Sequence, residues 1–355
     1  MLRGGLTRLT NRENFIRAME YASPQWIPMV FHVFDSVLWK HGDAMVELMR
    51  EYPMLFTPQQ IEHASHCEAP VRVEQNRFTD AWGCEWLETQ PGMIGQVVGH
   101  PLGGGWSDLS NLQVPDPEAQ WDWAALAAGA ERTRAAGKLS EGFMDVIHGG
   151  FFDRLQFLRG LDNLLVDFLE RPPEFEQLIA TLLDYNMRLI RLWLEVGIDV
   201  LHFHGDIATQ SSLMMRPETF RSVLKPAYAQ MFQACRQAGV HVKYSADGNL
   251  LAIVDDLIEC GVSYHDPQVR ACTIDGIARA YKGRLCAMVD IDQQMLPFCS
   301  PGDIDDQVRE IVEKIGLPEG GLMLYACPTP DVPMDNIDAI CRAWQRYGGP
   351  SAKAA

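Results

Sequence analysis

The chain has 355 residues, 47% of them hydrophobic, with 30 Lys and Arg against 47 Asp and Glu and a formal net charge of −17, giving a pI near 5.0. That balance excludes a nucleic-acid groove or an anionic membrane surface as partner, since both would be repelled, and leaves a small molecule or another protein. Nine scattered cysteines without a C-x-x-C pair suggest neither a disulfide framework nor a zinc ribbon, and with no signal-peptide core or bilayer-length apolar run they point to the reducing cytoplasm.

Phe15, Ile16 and Met19 recur at helical spacing and predict an amphipathic helix over 12–21. Alternating units follow: strand 26–33 (WIPMVFHV), helix 42–52 and strand 54–57 (MLFT). From Arg72 to about Leu112 the pattern is irregular, with stretches such as GQVVGH and the turn-rich PLGGGW, and reads as an excursion of loops or hairpins. Helix returns over 114–136, opened by Pro and Asp. The second half is more regular. Strands are expected at 142–150, 198–206, 240–248, 262–266, 284–292 and 321–327, and helices at 161–170, 173–196, 217–238, 249–260, 273–281, 303–315 and 335–347.

Roughly eight strands, each followed by a helix or an excursion, are the content of a single (β/α)8 TIM barrel. It would span 1–348, with 349–355 as a disordered tail. No strand leads into G-x-G-x-x-G or a P-loop, so no nucleotide cofactor is expected.

Barrel enzymes place their chemistry at the carboxyl ends of the strands. Those ends read His148; His204 with Asp206; Tyr244, Ser245 and Asp247; His265 and Asp266; Asp290 and Asp292; Cys327. Asp247 and Asp266 also suit helix caps or turns. Asp206 opens a polar loop, GDIATQSS, longer than capping needs and carrying Gln210. His202 shares the face of His204 one step deeper and is assigned to core packing. His148 precedes two glycines, which permit close approach of a ligand or a tight turn. Asp80, among aromatics in the excursion, would meet substrate or order a loop. The aromatic and Met residues there and near the N-terminus, Met93 among them, would wall a pocket or pack the core.

The segments GGFFDRLQFLRGLDNLLVDFLERPPEF, GDIATQSSLMMRPETFRSVLKPAY, YSADGNLLAIVDDLIECGVSYHDPQ, DIDQQMLPFCSPGDI and GGLMLYACPTPDVPMDNIDAI resemble, in order and spacing, the uroporphyrinogen decarboxylase superfamily from about Asn11 to Trp344. The resemblance implies a single (β/α)8 barrel. It also implies one of two chemistries, decarboxylation in the heme pathway or methyl transfer from methanol, methylamines, thiols or aromatic methyl ethers to a corrinoid protein. Fold does not choose between them.

Two departures bear on the choice. The decarboxylases carry an Arg-rich stretch that grips substrate carboxylates, whereas the corresponding WIPMVFHVFDSVLWKHGD has no arginine, which disfavours a polycarboxylate substrate. The methyltransferases often carry H-x-C-G and a late Cys that hold zinc. Here the first motif reads Ser245, Ala246, Asp247, Gly248, and Cys327 lies at or one residue from the late position.

The expectation is a methyltransferase or O-demethylase acting on a small methylated substrate, aromatic ones among the candidates, with a corrinoid protein or similar acceptor. Asp206, His204 and Asp247 are the catalytic candidates. Asp80, His148, Gln210, Tyr244, Ser245, Asp292 and Gln294 would bind substrate. His204, Asp206, Asp247 and Cys327 would ligate zinc or another divalent metal, if one is used. Decarboxylation of some carboxylate is the alternative. A non-catalytic binding protein on the same barrel comes third, opposed by the polar strand ends, because buried unpaired carboxylates cost stability unless something uses them. A homodimer is common among proteins of this appearance.

Overall fold

Short strands whose side chains alternate between an apolar face and a more polar one are suited to a sheet covered by helices on one side and enclosing a lumen on the other. The structure, a computed structural model, describes residues 8–68, 76–88, 95–144 and 150–349. In chain order its strands are β1 (Met29–Phe31), β2 (Asn76–Thr79), β3 (Glu85–Glu88), β4 (Gln96–Gly99), β5 (Glu141–Phe143), β6 (Val200–His204), β7 (His241–Ser245), β8 (Tyr264–His265), β9 (Cys286–Asp290) and β10 (Leu322–Ala326). Seven form a curled parallel sheet in the order β1-β10-β9-β8-β7-β6-β5, with helices between successive strands from β5 onward. This is a TIM-barrel-like fold.

The outward residues Leu201, Phe203, Val242, Tyr244, Val289 and Leu324 join the large core beneath the helices, together with Leu182, Phe232, Ile304 and Ile340. The inward residues Val200, Tyr264, Cys286, Met288 and Met323 form a second apolar cluster with Phe15, Ala18 and Met19, which belong to the helix Asn11–Met19. That helix plugs the amino-terminal end of the lumen. It is held there by Arg12, whose Nη2 donates to Asp199 Oδ1 at 2.7 Å, and Asp199 also accepts from the Ser140 backbone N–H at 3.0 Å. The polar part of the lumen therefore lies toward the carboxyl ends of the strands.

Two expected strands differ. Residues 54–57 form a turn, not a strand. Pro53 supplies no backbone donor, Pro58 already opens the helix Pro58–His66, and the buried Phe56 packs on Phe31 with ring centroids 5.1 Å apart. Within the expected strand 142–150 only Gly142 and Phe143 extend the ladder begun at Glu141, and 145–149, with His148, lie outside the described residues, as do Met93 and the tail from 350. Gly150 then crosses the end of β6 so closely that a Cβ there would lie 1.6 Å from the His204 carbonyl oxygen. The glycine serves backbone against backbone.

Between Asn76 and Gly99 the chain forms the antiparallel sheet β2-β3-β4. Asp80 organises its first turn. One carboxylate oxygen accepts from the backbone N–H groups of Trp82 and Cys84, both at 2.9 Å, and the other from Trp86 Nε1 at 3.1 Å and Arg154 Nη1 at 2.7 Å. Burial works against the ionised form, yet Arg154 and these donors hold the Asp80 carboxyl below its ordinary range. Asp80 therefore orders a loop and fastens the small sheet to the helix Phe151–Arg159. Asp80→Ala removes the buried carboxylate shared by Arg154, Trp86 and the loop amides, and denaturant unfolding should show a loss of about 3–5 kcal/mol, with native-like far-UV dichroism before the transition.

Candidate active site

In register, His202 of β6 lies beside Lys243 of β7, and His204 beside Ser245. Since Leu201, Phe203, Val242 and Tyr244 face the helices, alternation turns His202, His204, Lys243 and Ser245 into the lumen. Asp290 pairs with Tyr325 at the ends of β9 and β10, and Tyr325 packs against the lumen cluster.

A chain of three side chains crosses this lumen. The Ser245 hydroxyl donates to Asp266 Oδ2 at 2.5 Å, which leaves its oxygen to accept from His202 Nε2, 2.6 Å away. The His202 ring lies 4.1 Å from that of His204 and 5.3 Å from that of Phe143, centroid to centroid. Asp266 Oδ1 is buried and has no hydrogen-bond partner among the described residues. Burial pushes the Asp266 carboxyl up to about 6, against the opposing pull of the Lys243 charge and the Ser245 hydrogen bond. Burial likewise pushes Asp290 up to about 7, opposed by the hydrogen bond from the Val269 N–H and reinforced by the charges of Asp292, Asp266 and Asp247. The same desolvation, with Lys243 assisting, lowers His32 at the end of β1. The lumen thus holds two carboxyls poised near neutrality, a cation and several imidazoles, an acid–base set.

The other expected residues sit around this centre. Asp206 and Asp247 are exposed at the rim and linked, the Asp247 N–H donating to Asp206 Oδ1 at 2.9 Å, while Gln268 Nε2 donates to Asp247 Oδ1 at 2.8 Å. Asp292 accepts from Arg270 Nη2 at 2.9 Å and from the Gln294 backbone N–H at 3.1 Å, so it shapes a turn. Gln294 and Gln210 are exposed. Tyr244 stands on the helix side, buried beside Tyr228 and Phe232, with its hydroxyl donating to the Gly205 carbonyl at 3.0 Å; even strand positions there face outward, which removes it from substrate contact. His265 turns away likewise, to Tyr281.

Cys327 is buried, its thiol pushed up to about 11 by burial. Sequence reasoning assigned His202 to the core, gave Asp290 a place among the strand ends but no role, and passed over Lys243 and His32; two-residue alternation counted back from Ser245 would have placed Lys243 in the lumen.

The zinc site that the resemblance implies does not fit these residues. Ser245 Oγ is engaged between His202 and Asp266, and the Asp247 carboxylate is turned to Gln268 at the rim. Among the described residues, the one trio of His, Cys, Asp or Glu ligand atoms lying within 4.8 Å of one another is Asp35, His63 and Cys67, so His204, Asp206, Asp247 and Cys327 do not converge on an ion.

The comparisons agree with this architecture. The family profile described as Uroporphyrinogen decarboxylase (URO-D) matches residues 80–347. A methyltransferase from Methanosarcina mazei is 18% identical, with 96% of this chain and 99% of that chain covered and a TM-score of 0.67, a likeness of fold. A D-psicose 3-epimerase solved in the presence of D-fructose is 9% identical, over 65% of this chain and 86% of that chain, at a TM-score of 0.40, too remote to bear on chemistry. No curated protein matches. Among the described residues no helix is long and apolar enough to cross a membrane.

The raised carboxyls make stability depend on pH. Asp290 is favoured neutral in the fold, so its contribution is complete below the ordinary carboxyl range and is lost as pH rises through about 7. Asp290→Asn, which keeps an acceptor for the Val269 N–H, should therefore stabilise the protein more at pH 8 than at pH 5, by roughly 2–3 kcal/mol in paired denaturant unfolding curves.

Proposed function

The chain belongs to the uroporphyrinogen decarboxylase family, and from that premise we propose that it is a methyltransferase. It moves a methyl group from a small methylated substrate to a corrinoid carried by a partner protein, or a comparable nucleophile, with Asp266 as proton donor. The observation supporting this is the buried Asp266 carboxyl, one oxygen bound to Ser245 and the other without a partner among the described residues, near the carboxyl ends of the strands.

In the proposed reaction the bond from methyl carbon to heteroatom breaks as the acceptor takes the methyl group. The electron pair left on the heteroatom takes the Asp266 proton. An ether or amine leaves poorly without such neutralisation. Ser245 and His202 form the route by which a proton returns to Asp266 from the mouth. Asp290, near neutrality beside it, is a second reservoir, and Lys243 keeps the carboxyl population from drifting wholly to the neutral form. His204, Asp206 and Asp247 at the rim would hold the outer part of the substrate, and the Phe143 ring offers an apolar wall for an aromatic group.

Decarboxylation of a carboxylate substrate is the second reading, favoured by one observation, the Lys243 ammonium directed into the lumen next to Asp266. Among the described residues a substrate with several carboxylates meets no matching clamp. No arginine occurs from 26 to 43, and Arg154 and Arg270 are occupied by Asp80 and Asp292.

A panel of methyl donors, assayed with a corrinoid partner, should give demethylated product without CO₂. Asp266→Asn should lower turnover about 10²–10⁴-fold, the usual contribution of a positioned acid, whereas Asp206→Ala should act chiefly on KM. Release of CO₂ with no demethylated product would replace this reading by the second one, and full turnover in Asp266→Asn would remove the assigned acid.

A further inference from the structure

The cluster Asp35, His63 and Cys67 is given no step in the chemistry above, although the Asp35 charge reaches His32 at the end of β1. Asp35 begins the helix Asp35–His41, four residues past the end of β1. His63 lies in the last turn of the helix Pro58–His66, and Cys67 is its C-terminal cap. Their spacing of four residues puts both on one helix face. The start of that helix is fixed by a reciprocal pair of hydrogen bonds between Thr57 and Gln60, so the face is presented in one orientation. His63 Nε2 stands 2.8 Å from Asp35 Oδ1, and the sulfur, nitrogen and oxygen ligand atoms of the three residues all lie within 4.8 Å of one another.

We propose that Asp35, His63 and Cys67 bind a divalent cation of borderline softness such as Zn²⁺, leaving one coordination position open to water. Thiolate, imidazole and carboxylate are the donors that tetrahedral zinc takes, at about 2.0–2.3 Å each. Those bond lengths separate tetrahedral ligands by roughly 3.3–3.8 Å. The cluster reaches that geometry by drawing the sulfur in by no more than about an ångström and parting His63 from Asp35 by about half an ångström.

A thiolate in the set disfavours Mg²⁺ and Ca²⁺, which prefer oxygen. The carbonyl end of a helix carries partial negative charge, which further favours a cation at this place. His63 and Asp35 have side chains 62% and 46% exposed, so an ion reaches them without opening the fold. Bound there, it would tie the helix Pro58–His66 to the start of the helix Asp35–His41.

The test uses the full chain stripped by a chelator and titrated with Co²⁺, then Zn²⁺. One equivalent of Co²⁺ is expected, with a thiolate-to-cobalt charge-transfer band that Zn²⁺ abolishes. In Cys67→Ser the band should disappear although eight other cysteines remain, and in His63→Ala the affinity should fall at least tenfold. Thermal melting by circular dichroism checks that both variants are folded. Should either fail to fold, anomalous scattering at the zinc edge from wild-type crystals decides, by a peak between the three side chains or none. No saturable binding, or an unchanged band in Cys67→Ser, overturns the proposal. None of these readouts involves turnover, so their outcome is separate from that of the methyl-transfer assignment.

Discussion

The structure depends on one constraint, the two-residue alternation of parallel strands that must satisfy a helix shell on one face and a lumen on the other. The outer face tolerates only packing groups, and Leu201, Phe203, Val242 and Val289 meet that demand. The inner face is filled by apolar side chains only at the amino-terminal end, where the helix Asn11–Met19 completes the cluster. Further along each strand the same face carries His202, His204, Lys243, Ser245 and Asp290. Polarity is concentrated there because the barrel is plugged at its opposite end, so polar groups at the mouth keep a route to water that they would lack deeper down.

That gradient also explains the electrostatics. At the rim, Asp206 and Asp247 are solvated and serve as hydrogen-bond acceptors for backbone and amide groups. One step inward, Asp266 and Asp290 lose that solvation, and their carboxyls rise to about 6 and about 7. Among the described residues neither is paired with an arginine. The arginines nearby are committed elsewhere, Arg154 to Asp80 and Arg270 to Asp292, and each of those carboxylates is structural as a result. Two classes of aspartate thus follow from depth and from the presence of a guanidinium, and only the unpaired, desolvated class is suited to moving a proton near neutral pH.

The barrel was legible in the sequence because each strand is a short apolar run ending in polar residues and most are followed by an amphipathic helix, signals that survive without any contact information. The 54–57 strand was misread because an apolar run of four carries no period that separates a strand from a buried turn; its flanking prolines were the better guide. Within the site, strand ends were found but depth was not. Asp206 and Asp247 drew the catalytic role because they end strands in polar loops, although Asp247, like Asp266, also suits a helix cap, and Asp290 stood among the strand ends without a role. Only the register, which sets His204 beside Ser245, shows which of these side chains share a layer. Asp80 illustrates the opposite error, since a carboxylate among aromatics reads equally well as ligand contact or turn brace until Arg154, remote in sequence, is seen against it.

Ser245 joins these threads. Where the resemblance implies a metal-binding histidine, a hydroxyl stands, and it is short enough to fit between His202 and Asp266 at 2.6 and 2.5 Å. An imidazole at that position would occupy the gap and separate the two groups. The substitution that removes a metal ligand is therefore the same one that closes a path for protons, and the second departure, Asp247 in place of cysteine, adds a negative charge that helps hold Asp290 neutral. In the proposed reaction, the two changes would put proton donation in the place of Lewis-acid assistance at the same barrel mouth. A leaving heteroatom gains charge neutralisation by either means, so the loss of one is compatible with methyl transfer when the other is supplied by the same strand.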